Sequence, residues 1–192
     1  MKEIKTICVL CGCESGNNPE YTKMARELAV AMINRDISLV FGGGNKGLMK
    51  DIADEFGKHE KTVIGVIPQE YMAHGVGHPC TTETIVAKSM SERTNIMMQL
   101  SDGFIALPGG FGTISELFEV IYAERLGVIF KPCGVLNINS FYDSLINFLD
   151  QSVVSGILNQ AQRDILISRE NPDDLLDVFD NYEPVAFPRI WV

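Results

Sequence analysis

The chain has 192 residues, of which 46% are hydrophobic and 21% charged, a composition typical of a packed globular protein. The 16 Lys and Arg residues against 25 Asp and Glu residues give a formal net charge of −9. Proteins that bind DNA or RNA chains usually have a basic surface that neutralises phosphates, so this charge argues against a nucleic-acid polymer as partner. The sequence has no apolar run of the ~18 residues that a membrane span needs, and its start predicts a strand rather than a signal peptide, so no membrane partner is expected.

The cysteines and histidines favour neither redox chemistry nor metal binding. The cysteines are odd in number, which predicts reduced thiols in a cytoplasmic protein: Cys8, Cys11, Cys13, Cys80 and Cys133. The pair Cys8-x-x-Cys11 lies inside a predicted strand, whereas thioredoxin-type pairs lie at a helix N-terminus. His74, His78 and Cys80 have the spacing of metal ligands, but the segment is loop-like and has no second Cys pair. We therefore expect no metal.

Apolar segments of strand length alternate with segments of helical period along the whole chain. This pattern predicts an α/β fold, a Rossmann-like doubly wound, mostly parallel sheet flanked by helices, in one domain over residues 1–192. The predicted strands cover residues 4–11, 37–41, 62–67, 103–107, 134–136 and 165–167, with a further candidate at 84–87. The predicted helices cover residues 19–34, 48–57, 89–100, 115–126, 141–154 and 172–179. We expect the tail, residues 182–192 with Trp191, to pack irregularly against the body or a partner.

Three glycine-bearing loops follow predicted strands, at residues 12–17, 42–47 and 108–113. In an open parallel sheet, ligands bind beyond the carboxyl ends of the strands, where the strand order reverses. We expect the strands at 4–11 and 103–107 to be neighbours at that point. Two of the loops, 12–17 and 108–113, then face each other across one crevice.

The loop at 42–47 has the pattern G-x-G-x-x-G between a strand and a helix, which lets backbone N–H groups approach an anion. The pattern alone is weak evidence, and a plain tight turn is the alternative. A dinucleotide site also needs an acidic residue at the end of the next strand, and that strand ends in Pro68. No GK[ST] follows the glycines, so a P-loop is excluded. We expect no cofactor.

The segment PGGFGTISE at residues 108–116 is a stronger phosphate-binding candidate than the loop at 42–47. Its glycines allow bare backbone to approach a ligand, and the helix start supplies unpaired N–H groups with a partial positive charge. Thr113-x-x-Glu116 also matches a capping box, in which Glu116 merely closes the helix end. The alternative is that Glu116 is an ionised carboxylate aimed at a sugar, because a helix N-terminus lowers a carboxylate's pKa. Such a group suits stabilising positive charge or taking a proton from water.

The helix at 89–100 contributes an arginine on an apolar face, since Met90, Arg93, Met97 and Leu100 recur at spacings of 3 and 4. Arg93 either forms a structural ion pair, extends its stem to water, or lines the crevice and faces a phosphate, a base or Glu116.

Together these segments resemble the LOG-type phosphoribohydrolases, named for cytokinin activation and often mislabelled lysine decarboxylases. The resemblance covers nearly the whole chain. The matching residues are Cys11-Gly12, Gly16 to Pro19, Gly42 to Gly44, Gly47 to Met49, Gly65 to Pro68, Met90 to Arg93, the segment 108–116, Lys131-Pro132 and Phe141 to Asp143.

The resemblance implies a homodimer that hydrolyses the N-glycosidic bond of a nucleoside 5′-monophosphate, a cytokinin riboside monophosphate or an AMP-like nucleotide, giving free base and ribose 5-phosphate. It implies that Arg93 and Glu116 are the catalytic pair. The substrate- and phosphate-binding residues that it implies are Gly12, Gly43, Gly44, Met90, Gly109, Gly110, Gly112 and Thr113. Glu119 either holds a ribose hydroxyl or lies on the solvated face.

The chain departs from the family at Cys13-Glu14, where Ser-Ser is usual, and at Thr94, where Lys is usual. These departures leave the substrate preference open. A non-catalytic nucleotide carrier or sensor on the same fold is the alternative function. A pyridoxal-dependent lysine decarboxylase would need a Schiff-base lysine, and no lysine is singled out by the sequence.

Overall fold

The computed structural model describes residues 3–185. The strands are β1 (Thr6–Leu10), β2 (Ser38–Phe41), β3 (Val63–Pro68), β4 (Glu83–Ala87), β5 (Gly103–Ala106), β6 (Cys133–Leu136) and β7 (Leu166–Arg169). The helices are α1 (Pro19–Asn34), α2 (Gly47–Lys58), α3 (Gln69–Ala73), α4 (Met90–Leu100), α5 (Phe111–Arg125), α6 (Asp143–Val154), α7 (Gln160–Arg163) and α8 (Pro172–Asp180), with a 3₁₀ turn at Ile138–Ser140.

The seven strands form one parallel sheet in the order β4-β3-β2-β1-β5-β6-β7. Helices α1, α2 and α8 cover one face, and α4, α5 and α6 cover the other. The inner strands are therefore buried on both faces, which explains why their sequences are continuous apolar runs rather than alternating ones. The predicted α/β class and the doubly wound parallel sheet are confirmed. No helix within residues 3–185 has the length and apolar character needed to cross a membrane.

The strand order reverses between β1 and β5. From β1 the chain builds outward through β2, β3 and β4 on one side and through β5, β6 and β7 on the other. Leu10 at the end of β1 stands beside Ala106 at the end of β5, so the loops after these strands meet at one edge of the sheet. The predicted position of the switch point is confirmed.

Helix α5 begins earlier than predicted, at Phe111 instead of residue 115. Gly110 is the N-cap residue and provides no side-chain cap. Thr113 is thus the third helical residue and Glu116 lies in the second turn, so the capping-box interpretation of Glu116 is wrong. The helix start was not predicted because glycines occupy positions 109, 110 and 112, and glycine has a low helix propensity.

Two short helices, α3 and α7, were not predicted, whereas the optional strand at 84–87 is confirmed as the edge strand β4. Of the tail, Trp191 lies outside the described residues. Tyr182, within them, donates a hydrogen bond from its hydroxyl to Oε1 of Glu124 at 2.8 Å.

Candidate active site

A cavity of about 370 Å³ opens at the carboxyl edge of the sheet, where the three glycine loops meet α3, α4 and α5. It extends from the loop after β5 across the ends of β1 and β2 to the end of β3. Most of the residues implied by the resemblance line it: Gly12, Gly44, Met90, Arg93, Gly110, Gly112, Thr113 and Glu116. The expectation that loops 12–17 and 108–113 face one crevice agrees with this geometry.

Gly43 and Gly109 are not on the cavity lining. Gly43 has φ +73°, and a Cβ there would lie 2.2 Å from Cγ1 of Ile67. A Cβ on Gly109 would lie 2.1 Å from Oγ1 of Thr113 and 3.0 Å from the backbone nitrogen of Gly12. Both glycines allow backbone segments to approach closely behind the cavity wall, and Gly42 takes the lining position beside Gly44.

Arg93 and Glu116 form an ion pair at the floor of the cavity, between Nη2 and Oε1. Their side chains are only 13% and 9% exposed. Burial lowers the pKa of Arg93, yet an arginine remains protonated in proteins, so the pair is charged. The sequence left a structural ion pair and a crevice position as alternatives for Arg93, and the structure shows both at once. Glu119, one turn beyond Glu116, is exposed and lies outside the cavity lining.

The N-terminus of α5 faces the cavity through an open glycine segment. The first turn of an α-helix has N–H groups with no partner inside the helix and a partial positive charge. A Cβ at Gly110 or Gly112 would meet no atom within 4 Å, so this backbone is accessible. The site can therefore hold a phosphate without any lysine, which suits a chain of net charge −9.

The opposite end of the cavity is apolar. Ile67 and Pro68 at the end of β3, Tyr71 of α3 and Val76 form this part. A hydrogen bond joins the segment that contains Val76 to the glycine loop after β2: the N–H of Asn45 donates to the Val76 carbonyl at 3.1 Å. Sequence reasoning missed Tyr71 and Val76, since α3 is one short turn with no periodic signal.

Asp54, His78 and Cys80 are the group among the described residues whose side-chain atoms could surround a metal, lying within 4.8 Å of one another. Nδ1 of the buried His78 accepts the N–H of Cys80 at 3.1 Å. The ring proton is therefore on Nε2, 3.3 Å from Oδ1 of Asp54. A metal on Nε2 would require the proton on Nδ1, opposite the Cys80 N–H. We interpret His78 as an anchor for its loop and not as a ligand.

This anchor predicts a loss of stability in mild acid. Burial lowers the pKa of His78 from 6.5, with Asp54 and Lys50 acting in opposite directions. Below pH 6.5 the unfolded chain takes up a proton at His78 while the ring in the folded protein stays neutral. The stabilisation that the neutral His78 contributes is therefore complete above that pH and is lost progressively below it. We expect the melting temperature to fall more steeply between about pH 7 and about pH 5 than in His78→Asn, which keeps an acceptor for Cys80. Parallel pH profiles of the two proteins would contradict the interpretation.

A glycine-lined crevice at the switch point, an accessible helix N-terminus and a buried Arg–Glu pair define an open-sheet α/β protein with a candidate site for a small anionic ligand. Comparison with known proteins identifies the family. A family model described as "Possible lysine decarboxylase" matches residues 49–179.

Two relatives in Arabidopsis thaliana extend the match. Cytokinin riboside 5′-monophosphate phosphoribohydrolase LOG2 is 39% identical over 188 residues, covering 96% of this chain and 88% of the relative. LOG1 is 38% identical over 193 residues, covering 98% and 91%. The chain therefore belongs to the LOG family, as its motifs indicated. Among solved structures, the molybdenum cofactor binding protein of Rippkaea orientalis has the same fold, with a TM-score of 0.69, 22% identity and coverage of 94% of this chain and 98% of that one.

Proposed function

We propose that this protein hydrolyses the N-glycosidic bond of a nucleoside 5′-monophosphate, a cytokinin riboside monophosphate or an AMP-like nucleotide, to give free base and ribose 5-phosphate. The observation that carries the proposal is the buried Arg93–Glu116 pair at the floor of a cavity that has a helix N-terminus at one end. The names of the LOG relatives support the same reaction.

The cavity suits a nucleotide laid across the strand ends. The phosphate would bind the N–H groups at the start of α5, around Gly110 and Gly112. The base would then reach the apolar end beside Tyr71, three strands away, which at ~4.8 Å per strand is about the length of a nucleoside monophosphate. The ribose between them lies over Glu116 and Arg93. Gly12 and Gly44 have no side chains, and this leaves room for the sugar.

The chemistry follows from the charges. Breaking the C1′–N bond sends its electron pair to the base and leaves oxocarbenium character on the ribose. An ionised Glu116 stabilises this cation and takes a proton from the water whose oxygen bonds to C1′. Arg93 cannot transfer protons, but it holds the Glu116 carboxylate in place and balances its charge. The departing base takes up one proton from solvent, and Glu116 returns to solvent the proton that it took from water, so the protons balance.

The decarboxylase activity in the family model's description has no support in this site. A pyridoxal enzyme needs a lysine that can reach the cofactor, and the cavity lining has no lysine among the described residues.

The decisive experiment incubates the pure protein with AMP and with isopentenyl-AMP and follows free base by chromatography. Binding of the same nucleotides is measured by calorimetry. We expect release of adenine or its isopentenyl derivative together with ribose 5-phosphate. Binding without release of base from any nucleoside monophosphate would overturn the proposal in favour of the carrier or sensor alternative.

We further propose that the chain forms a homodimer through α5. Ile121 and Phe118 of α5 are only partly buried, and Tyr122 is 63% exposed. A contiguous apolar surface of this kind marks a protein contact. We expect light scattering to show a dimer that Tyr122→Glu converts to a monomer. Val30→Glu, at an exposed apolar position on α1, is the control and leaves the dimer intact; a monomeric natural chain would contradict the proposal.

A cytoplasmic location and a single domain over residues 1–192 complete the proposal. All five cysteines are unpaired thiols, which fits a reducing compartment. Strands from Thr6 to Arg169 belong to one sheet, which fits one domain.

A further inference from the structure

One carboxylate outside the cavity holds the loop of residues 12–17 between β1 and α1. Oδ2 of Asp51, in α2, accepts hydrogen bonds from Oγ of Ser15 at 3.3 Å and from Oγ1 of Thr22 at 2.9 Å. Oδ1 accepts from Nη2 of Arg26 at 2.9 Å. The Asp51 side chain is 14% exposed. It joins the loop, α1 and α2 at one point, and it does not line the cavity.

The loop that Asp51 holds forms part of the cavity wall. Gly12 and Cys13 line the cavity, and Ser15 follows two residues later. On the side of β5 the loop has one long backbone bond, from the N–H of Gly12 to the carbonyl of Pro108 at 3.3 Å. The turn contains Gly16 at φ +73°. Because glycine adopts many backbone conformations, this residue does not by itself hold the loop in one position.

Helix α2 lies so close to this loop that the loop cannot move toward the helix, although the contact does not stop the loop from moving away. A Cβ on Gly47 would lie 2.3 Å from the carbonyl carbon of Cys13, so the helix start and the loop are in direct backbone contact. Such a contact prevents the loop from moving toward α2. The Ser15–Asp51 bond opposes movement away from α2. At 3.3 Å it is as long as the Gly12–Pro108 bond, but its acceptor is a charged carboxylate that Thr22 and Arg26 hold in place at 2.9 Å.

We propose that Asp51 is a positioning residue for the nucleotide site, acting through Ser15 to keep Gly12 and Cys13 in the cavity wall. The inference rests on the proposed function for its kinetic readout. Loop displacement weakens binding of substrate and of the transition state equally, so it raises KM and leaves kcat unchanged. A residue needed only for folding would instead lower the amount of active enzyme, and so the apparent kcat.

The test compares Ser15→Ala, Asp51→Ala and the double variant with AMP as substrate. We expect each single variant to raise KM and the calorimetric Kd about tenfold with kcat within about twofold. The double variant should show no further rise, since both changes remove one bond. Asp51→Asn, which still accepts from Ser15, should recover most of the affinity.

Arg26→Met is the matched control, because it removes the ion pair to Asp51 and leaves the hydroxyl bonds to Ser15 and Thr22. Its KM should equal that of the natural chain. Additive effects in the double variant, or an Arg26→Met variant as weak as Ser15→Ala, would overturn the inference. A failure of the proposed function would look different from a failure of this inference. The natural chain would then release no base, and the Kd values of the variants would still show whether the loop position affects nucleotide binding.

Discussion

Glu116→Gln should lower kcat for nucleotide hydrolysis by about a thousandfold, the scale of effect seen when a preorganised electrostatic group is removed from an active site. The amide has the same shape and can still accept a hydrogen bond from Arg93, so the cavity keeps its form. It has no negative charge to stabilise the ribosyl cation and cannot take a proton from water. Single-turnover release of base, followed by chromatography, measures the change.

Nucleotide affinity should stay within a few-fold of that of the natural chain, because the proposed phosphate site is the start of α5 and does not include Glu116. Glu119→Gln is the matched control, since Glu119 is a glutamate one helical turn later that is exposed and outside the cavity lining. It should leave kcat unchanged. A Glu116→Gln enzyme with a third or more of the normal rate would remove Glu116 from the mechanism.

Gly43→Ala should lower the free energy of unfolding by about 3 kcal/mol, combining the strain of a left-handed residue with overpacking. Gly43 has φ +73°, and the new methyl group would lie 2.2 Å from Cγ1 of Ile67. Either β3 or the glycine loop must shift to relieve that contact. Urea unfolding followed by circular dichroism measures the loss.

Gly75→Ala separates the two causes. Gly75 has a similar φ of +67°, but an added Cβ would meet no atom within 4 Å. It should cost only about 1 kcal/mol, the strain alone. In an Ile67→Ala background, which lacks the contacted atom but carries its own loss of core packing, Gly43→Ala should cost less than it does in the natural chain. Equal losses at Gly43 and Gly75 would show that contact with Ile67 is unimportant.

The sequence predicted the sheet well because buried parallel strands are continuous apolar runs. Residues 103–107 could be assigned to a strand from their apolar run, and their pairing with the first strand followed from the usual winding. The start of α5 at Phe111 could not be predicted, since the glycines that make a helix end useful for ligands also weaken the helical pattern.

The candidate site was less predictable from the sequence than the fold was. Periodicity put Arg93 on an apolar face but could not choose its partner, because Glu116 belongs to another helix. Tyr71 was missed with its short helix. Asp51 carries no local signal at all, and its role becomes visible only when α2 is placed beside the loop that contains Ser15.

The pairing of β1 with β5 has a kinetic consequence. Ile7 lies beside Gly103 although half the chain separates them, and contacts of such long sequence separation form late and slowly. The cavity is assembled from both sides of this pair, so a nucleotide can recognise the chain only after the central strands have joined. The ligand should therefore slow unfolding of the native protein while leaving its refolding rate almost untouched.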